Sequence, residues 1–488
     1  MKKLLIRIVM VLAMLVVLNW VYSTWFFEKD LREHSDIVEM AWQVVDDSCR
    51  IIYLGESSNN SFGLEESDTR KVSAYLAEYF PTVKTGDLTK AASHAQTYYY
   101  LLKHIPVTSN VETVVVTMNL RSFGPMWIYS RLETALRKQL VLLEDYPPLV
   151  NRFLLAFKAY PIRSEDEWVE LIYWHRHHDP LNFPYDFPFD NNYAWDSAVG
   201  WNGLRDAEGH RDQQMTELAC HYIKSYGFQI TDDNPRLKDF DAIVELCREN
   251  GWNLVFNLMA ENIDKAHQLV GDDLLFLIKR NRDYLLHRYE NMEGVTVVNN
   301  LSLVRDVNFI DQNWTTEHYY EEGRRMVAEH VAQSLKEYYP NDYRPIEIKA
   351  DTGHYRFSGE ERTINKQHPY SRALVLTADS IRPDWEMVNV AFMMKQADGS
   401  HKTKLVIEKR ETQGQASFET YPTWPQNSTL GQWEFVTFAL PLDSVFRVSE
   451  QIKIYVSNFS ESAVQIKDLD VSFRPAYLAP YVKAKSER

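Results

Sequence analysis

Residues 49–61 read Cys-Arg-Ile-Ile-Tyr-Leu-Gly-Glu-Ser-Ser-Asn-Asn-Ser. The apolar run over 51–54 stops at Gly55, which is typical of a buried strand whose chain then turns sharply. Ser57 follows directly after this turn. A serine just past the carboxyl end of a parallel strand lies where α/β sheets place their chemistry. Ser57 is therefore a candidate nucleophile, with the neighbouring Ser58 as its competitor.

Strands and helices alternate on both sides of this segment. The stretch from Val111 to Met118 is continuous and β-branched, as in a parallel strand buried on both faces. Further strands are predicted over 253–259 and 295–299, and helices over 69–80, 94–104, 131–142, 274–289 and 321–338. The alternation predicts an α/β domain with a mostly parallel sheet over residues 31–340.

The first thirty residues have the pattern of a membrane anchor. Three cations precede an apolar run that begins at Ile8, and aromatic residues gather at its far end before Glu28 and Asp30. The segment has about the length of twenty residues that crosses the hydrocarbon core. We expect residues 1–30 to be a transmembrane helix with a cytoplasmic N-terminus, and the remainder to be extracytoplasmic, on the periplasmic or cell-surface side. A cleaved signal peptide is the alternative, although no small-x-small cleavage site follows the run.

The pattern of predicted elements changes near Tyr339 and Pro340. Short alternating segments separated by turn residues follow over 373–377, 388–394, 404–407, 433–440, 452–456 and 464–473. This pattern is typical of an antiparallel β-sandwich. We predict a second domain over residues 341–488.

Composition excludes some classes of function. The net charge of −15 argues against nucleic acid as a partner, because a polyanion would be repelled. Cys49, Cys220 and Cys247 show no C-x-x-C spacing, so no zinc or redox motif is predicted. Buried free thiols are favoured over a pair between Cys220 and Cys247. The histidines of 175–178 are adjacent on a helix and point in different directions, so we expect no metal site and no cofactor.

Two further segments complete a candidate site. Asn119 directly follows the strand that ends at Met118, where its amide could donate to an oxyanion or close an Asx turn. His318 follows the last strand of the α/β domain and precedes a helix. Histidine is the usual general base for a serine, since its pKa lies near working pH.

These residues together resemble the SGNH (GDSL-like) hydrolase superfamily. Gly55-Glu56-Ser57 resembles its nucleophile block, Asn119 its third block, and His318 with Gly323 its last block. The resemblance implies a three-layer α/β domain and acyl transfer through an acyl-enzyme. In that reaction Ser57 attacks and His318 acts as base, while Asn119 and the Ser57 N–H hold the oxyanion.

Two departures from the family pattern bear on this site. The family's Asp lies three residues before the His, where this chain has Thr315, so Asp311 or Glu317 orients the base or the site is a Ser–His dyad. Asp311 is preferred, because Glu317 is adjacent to His318 and is poorly placed to reach its ring. In addition, the segment 88–93 lacks the glycine that donates an oxyanion N–H in the family.

The architecture is similar to that of the D-alanyl transfer protein of teichoic acid loci and of the alginate O-acetylation proteins. That likeness implies an esterase or O-acyltransferase acting on cell-envelope or exopolysaccharide glycans, with a membrane-bound O-acyltransferase as a possible partner. A non-catalytic scaffold protein of such a system is the alternative.

Two groups of residues are candidates for contact with glycans. The strands over 452–458 and 464–471 resemble those of jelly-roll carbohydrate-binding modules, which implies either a glycan-binding or a purely structural sandwich. Aromatic candidates there are Trp385, Tyr421, Trp424 and Trp433. Residues 176–212, rich in Pro, Asn, Asp and aromatics, are predicted to form a loop-like insertion near the cleft. Its aromatics could stack on sugars or pack on the core.

Overall fold

The computed structural model describes residues 2–345 except 65, 67, 107, 161–162 and 207, and beyond them 354–357, 361–377, 380–382, 385, 387–410, 416–423, 430–442 and 450–474. The helices are α1 (Lys2–Trp25), α2 (Phe27–His34), α3 (Asp36–Asp46), α4 (Ser57–Asn60), α5 (Val72–Glu78), α6 (Ala95–Lys103), α7 (Pro125–Ile128), α8 (Arg131–Leu140), α9 (Pro148–Ala156), α10 (Glu165–His178), α11 (Asn192–Asn202), α12 (Gln213–Tyr226), α13 (Pro235–Asn250), α14 (Ile263–Leu269), α15 (Asp272–Tyr289) and α16 (Glu321–Leu335).

The strands are β1 (Ile51–Gly55), β2 (Thr85–Thr89), β3 (Thr113–Met118), β4 (Leu204–Arg205), β5 (Arg211–Asp212), β6 (Asn253–Leu258), β7 (Val295–Asn299), β8 (His354–Phe357), β9 (Arg362–Ile364), β10 (Leu374–Thr377), β11 (Met387–Gln396), β12 (Thr403–Arg410), β13 (Ala416–Pro422), β14 (Trp433–Pro441), β15 (Gln451–Asn458) and β16 (Val464–Arg474).

A five-stranded parallel sheet forms the centre of the α/β part, in the order β2-β1-β3-β6-β7. Ile51 of β1 lies opposite Thr85 of β2 and Thr113 of β3. The carboxyl ends of these strands therefore meet at one edge of the sheet, which is where the segments carrying Ser57 and Asn119 begin.

Helices cover both faces of this sheet. Ile51 and Tyr53 point into a core shared with α5 and α16, whereas Ile52 and Leu54 point into a larger core shared with α3, α6, α13 and α15. Alternate residues of one strand enter opposite cores because the side-chain period of a strand is two. The predicted α/β class with a parallel sheet is confirmed.

One sequence prediction within the α/β part is wrong. Residues 192–202, placed in a loop-like insertion, form the helix α11. The Asn191 side chain accepts the Ala194 N–H at 2.9 Å and so starts the helix, while Trp195 is buried against Phe187. The turn-forming composition of this segment favoured a loop, but Asn191 is the N-cap of a helix. Trp195 packs into the core, whereas Trp201 is exposed.

The C-terminal part is antiparallel, as predicted. One sheet has the order β10-β15-β12-β13 and the other β14-β11-β16-β8, with β9 also paired to β16. Both sheets contribute to one core that includes Val390, Ile407 and Ile454. Trp385 is buried and stacks on Phe473, so it packs this core. Trp424 lies outside the described residues.

Helix α1 is the one helix of the described residues long and apolar enough to cross a membrane, with a mean hydropathy of 2.5 over its most apolar window. That window has no buried residue within the protein. The helix is therefore a candidate membrane anchor or signal sequence, since both share this length and composition.

A buried ion pair joins the two chain segments that flank the candidate site. Arg324 of α16 lies 3.0 Å from Glu66, and neither side chain is exposed. The Arg324 guanidinium also donates to the carbonyl oxygens of Ser61, at 3.1 Å, and Tyr319, at 2.8 Å. Arg324 thus holds the loop after Ser57 against the residue that follows His318.

We expect Arg324→Met to lower the free energy of unfolding by about 3–5 kcal/mol, because it leaves the Glu66 carboxylate buried without its partner. The matched control is Arg248→Met, which removes a guanidinium that is 69% exposed in its pair with Glu245. That change should stay within about 0.5 kcal/mol. Urea unfolding of the two variants measures the difference, and equal midpoints would contradict the structural role given to Arg324.

Candidate active site

The structure places the Ser57 hydroxyl beside the His318 imidazole. Ser57 Oγ lies 2.9 Å from His318 Nε2 although 261 positions separate the two residues. Ser57 is the first residue of α4, directly beyond the carboxyl end of β1. This is the separation expected of a nucleophile and its general base.

Asp311 occupies the other side of the same imidazole. Its Oδ2 lies 2.7 Å from His318 Nδ1. An ionised carboxylate only accepts hydrogen bonds, so Nδ1 carries the proton, and in the neutral imidazole Nε2 is left to accept from Ser57. The geometry fixes the tautomer that a base acting on Ser57 requires.

A short bridge between two chain segments positions this pair. Phe309 pairs with Tyr319 in an antiparallel bridge, and the Ile310 N–H donates to the His318 carbonyl oxygen at 2.9 Å. The residues at the two ends of the loop from Asp311 to His318 are therefore paired with each other. Its two ends, one acidic and one basic, are held side by side.

Their mutual contact shifts the pKa values of Asp311 and His318 in opposite directions. The hydrogen bond from His318 holds the pKa of Asp311 below its usual 3.8. Burial by itself would lower the pKa of His318, but the hydrogen bond and the charge of Asp311, with the charge of Glu317 adding, raise it above its usual 6.5. The pair is therefore stabilised as carboxylate and imidazolium.

The two adjacent serines have different environments. Ser58 is fully buried, whereas Ser57 is partly exposed and contacts His318. Only Ser57 combines access with a base, so the geometry favours it over Ser58 as the candidate nucleophile.

Asn119 lies beside this site, but its amide is engaged by acids. Its Nδ2 donates to Glu317 Oε2 at 2.9 Å and to Glu56 Oε1 at 3.3 Å. The other oxygen of Glu56 lies 3.3 Å from Ser57 Oγ. One carboxyl group thus bridges Ser57 and Asn119, and both amide hydrogens of Asn119 have acceptors.

Glu317 does not orient His318 and belongs instead to a buried acidic cluster. Arg121 forms a two-pronged ion pair with the Glu317 carboxylate. Burial opposes ionisation of Glu317, but Arg121 outweighs it and holds the pKa of Glu317 below its usual value. Burial, followed by repulsion from Glu317, raises the pKa values of Glu56 and Glu261. These two acids are therefore the ones in the cluster that most readily keep a proton.

Departures from the family pattern have visible consequences. Thr315, at the position of the family's Asp, is buried and hydrogen-bonds Ser225 at 2.9 Å. Asp311 rather than residue 315 contacts His318. In the segment 88–93, Ala92 has a φ of +63°, in the left-handed region that favours glycine. The chain keeps a glycine-like turn there without a glycine.

Two glycines allow the close packing that the site requires. A Cβ at Gly55 would lie 2.9 Å from Asn59 Cβ and 2.9 Å from Thr89 Oγ1. A Cβ at Gly323 would lie 2.9 Å from Tyr319 Cβ. Gly323 thus lets the first turn of α16 lie directly against the chain that carries His318.

Potential metal ligands and thiols lie in other parts of the chain. Among the described residues, one group of three, Asp30, Glu33 and His34, brings ligand atoms within 4.8 Å of one another. It is on α2, and Asp30 is already paired with Arg152. All three cysteines are buried free thiols, as the sequence favours.

No family model and no curated protein matches the chain. Two solved structures with low similarity each match about a quarter of the chain. The CBM22-1 xylan-binding domain of Paenibacillus barcinonensis Xyn10C is 12% identical, and the match covers 26% of this chain and 85% of that one with a TM-score of 0.18. The VP2 subviral particle of infectious bursal disease virus is 10% identical, with coverages of 26% and 33% and a TM-score of 0.20. Similarity this low supports no inference about fold or function.

Sequence reasoning missed the acidic cluster behind Ser57. Glu56, Arg121 and Glu261 each lie within three residues beyond a strand of the parallel sheet, β1, β3 and β6 respectively. Charged residues just past three strand ends were the available signal, because parallel strands end at one edge. Their partners become visible only once the strand order is known.

We expect the pKa of His318 to lie above 6.5 and to fall in Asp311→Asn, because an amide removes the negative charge that stabilises the imidazolium. NMR titration of histidine-labelled protein measures this, with the His318 signal assigned among the 15 histidines by its loss in His318→Gln. Asp206→Asn is the matched control, since Asp206 faces the exposed His210 instead. An unchanged His318 titration in Asp311→Asn would refute the pairing.

Proposed function

We propose that this protein is a membrane-anchored, extracytoplasmic serine esterase or O-acyltransferase of the SGNH type that acts on cell-envelope or exopolysaccharide glycans. The observation that carries the proposal is the hydrogen-bonded series Ser57–His318–Asp311 at the carboxyl edge of the parallel sheet. A partly exposed serine, an imidazole with a fixed tautomer and a carboxylate on the far side of that imidazole form the arrangement that activates a serine for attack on an ester.

The reaction has two halves. Ser57 Oγ attacks the ester carbonyl carbon while His318 Nε2 takes the hydroxyl proton, and the leaving alcohol then receives that proton as its C–O bond breaks. The acyl group remains on Ser57. Water, activated by His318, releases it as a carboxylic acid, whereas a sugar hydroxyl would accept it as a new ester. Because His318 must be neutral to act as base and its pKa is raised, activity should increase as pH rises through that pKa.

Glycans are the proposed acceptors because of the surface around the loop that carries the pair. Trp314, between Asp311 and His318, is half-exposed and contacts the His221 ring at a centroid distance of 4.0 Å. An exposed aromatic face at this position suits a sugar ring. The C-terminal sandwich, proposed as a jelly roll, and a membrane-bound O-acyltransferase partner complete this setting.

A second candidate is a non-catalytic scaffold protein of a polysaccharide acylation system. The arrangement of Asn119 favours it, because its two amide hydrogens are directed to Glu56 and Glu317. An amide engaged in this way stabilises an oxyanion only after releasing one of these acceptors. The scaffold proposal requires no such rearrangement.

A fluorophosphonate probe should label the wild-type protein and Ser58→Ala but not Ser57→Ala. Of these two adjacent serines, Ser57 has the His318 imidazole within reach, while Ser58 is buried one position away and serves as the matched control. His318→Gln should slow labelling by about 10²- to 10⁴-fold. Labelling is read by in-gel fluorescence, with thermal unfolding to verify that each variant is folded.

Labelling of Ser57→Ala that disappears in Ser58→Ala would assign the nucleophile to Ser58 and refute the proposed geometry. A folded wild-type protein that does not react, like Ser57→Ala, would refute the enzyme and favour the scaffold.

A further inference from the structure

Helix α9 presents an apolar face to solvent and buries residues on its opposite side. Val150 and Phe153 of α9 are exposed, and Phe157, the C-cap residue directly after the helix, is 76% exposed. Their spacing of three and four residues places them on one side of the helix. Leu155 and Asn151 are buried on the other side.

The same helix is attached to the apolar helix α1. The Leu149 N–H, in the first turn of α9, donates to the Asn19 side-chain oxygen of α1 at 2.9 Å. Farther along α9, Arg152 pairs with Asp30 at 2.6 Å, and the Tyr22 hydroxyl donates to the same carboxylate at 2.9 Å. Two separate contacts therefore fix α9 beside the exit of α1.

The level of the attachment along α1 decides what covers this face. At a rise of about 1.5 Å per residue, Asn19 lies about 9 Å before the end of α1 at Trp25. If α1 crosses a bilayer, Asn19 lies inside its outer boundary rather than in bulk water. Interfacial amphipathic helices bury their apolar face by about 5–10 Å, which is the same depth.

We propose that the exposed apolar face formed by Val150 and Phe153 of α9 and by Phe157 at its C-cap inserts into the outer interface of the membrane that holds α1. The inference rests on the proposed membrane anchorage of α1. It goes beyond a single anchor, because a second membrane contact on a helix joined to α1 fixes the orientation of the α/β part at the membrane surface, whereas one helix alone leaves that part free to rotate.

Fluorescence quenching in vesicles of phosphatidylcholine and phosphatidylglycerol tests the proposal with the full-length protein. Phe157→Cys and Val150→Cys report on α9, Leu12→Cys reports on α1, and Phe418→Cys, at a similarly exposed aromatic of β13, is the matched control. Each variant is labelled with bimane, and wild type treated in the same way measures reaction of the three buried thiols.

We expect labels at 12, 150 and 157 to be quenched by brominated lipid, with emission shifted to shorter wavelength, and the label at 418 to be quenched by aqueous iodide. Lipid quenching at 12 with iodide quenching at 150 and 157 would overturn the proposal for α9 and leave the anchor intact. Absence of lipid quenching at 12 would refute the anchor itself. Protection of 150 and 157 from both quenchers would also overturn the proposal, since a protein partner or a second copy would then cover the face.

Discussion

The buried ion pair between Arg324 and Glu66 is the constraint on which the candidate site depends. The Arg324 guanidinium also donates hydrogen bonds to carbonyl oxygens of the loop after Ser57 and of Tyr319. Burying a charge is costly unless it is paired and fully hydrogen-bonded. Here that requirement is met only when the Ser57 loop and the His318 segment are together, so the pair couples the folding of two distant stretches of chain.

The charged groups of the site are divided between a partly exposed pair and a buried cluster. His318 and Asp311 lie at the partly exposed rim, while Glu56, Glu261 and Glu317 lie behind it with Arg121 as the cation paired to Glu317. Arg121 pairs with Glu317 and holds the pKa of that carboxyl below its usual value. Burial, with repulsion from Glu317, raises the pKa values of Glu56 and Glu261. Asn119 connects two acids of the cluster, because its amide contacts Glu56 and Glu317. Its position explains how one side chain could serve either catalysis or structure.

Much of the fold follows from local pattern, but some does not. Continuous apolar runs identify β1, β3, β6 and β7, because strands buried on both faces need apolar residues throughout. The strand Thr85–Thr89 is too polar to be recognised and lies at a sheet edge. The position of Ser57 after a strand and of His318 after the last strand suggests their pairing, and Asp311 is preferred as the partner of His318 because Glu317 is adjacent to it in the chain. Glu56 and Glu261 are visible as charged residues just past strand ends, but their partners depend on strand order and could not be predicted.

The activation of Ser57 by His318 is tested most directly by a mass measurement. The peptide that contains Ser57 is weighed after brief reaction of the protein with an activated acetate ester and quenching in acid. We expect an acetyl group on Ser57, because the ester carbon is attacked by the hydroxyl that His318 deprotonates. The adduct should be absent in His318→Gln. An acetyl group found only on other residues would contradict the role of Ser57 as nucleophile. Equal acetylation of Ser57 in His318→Gln would contradict the role of His318 as its base.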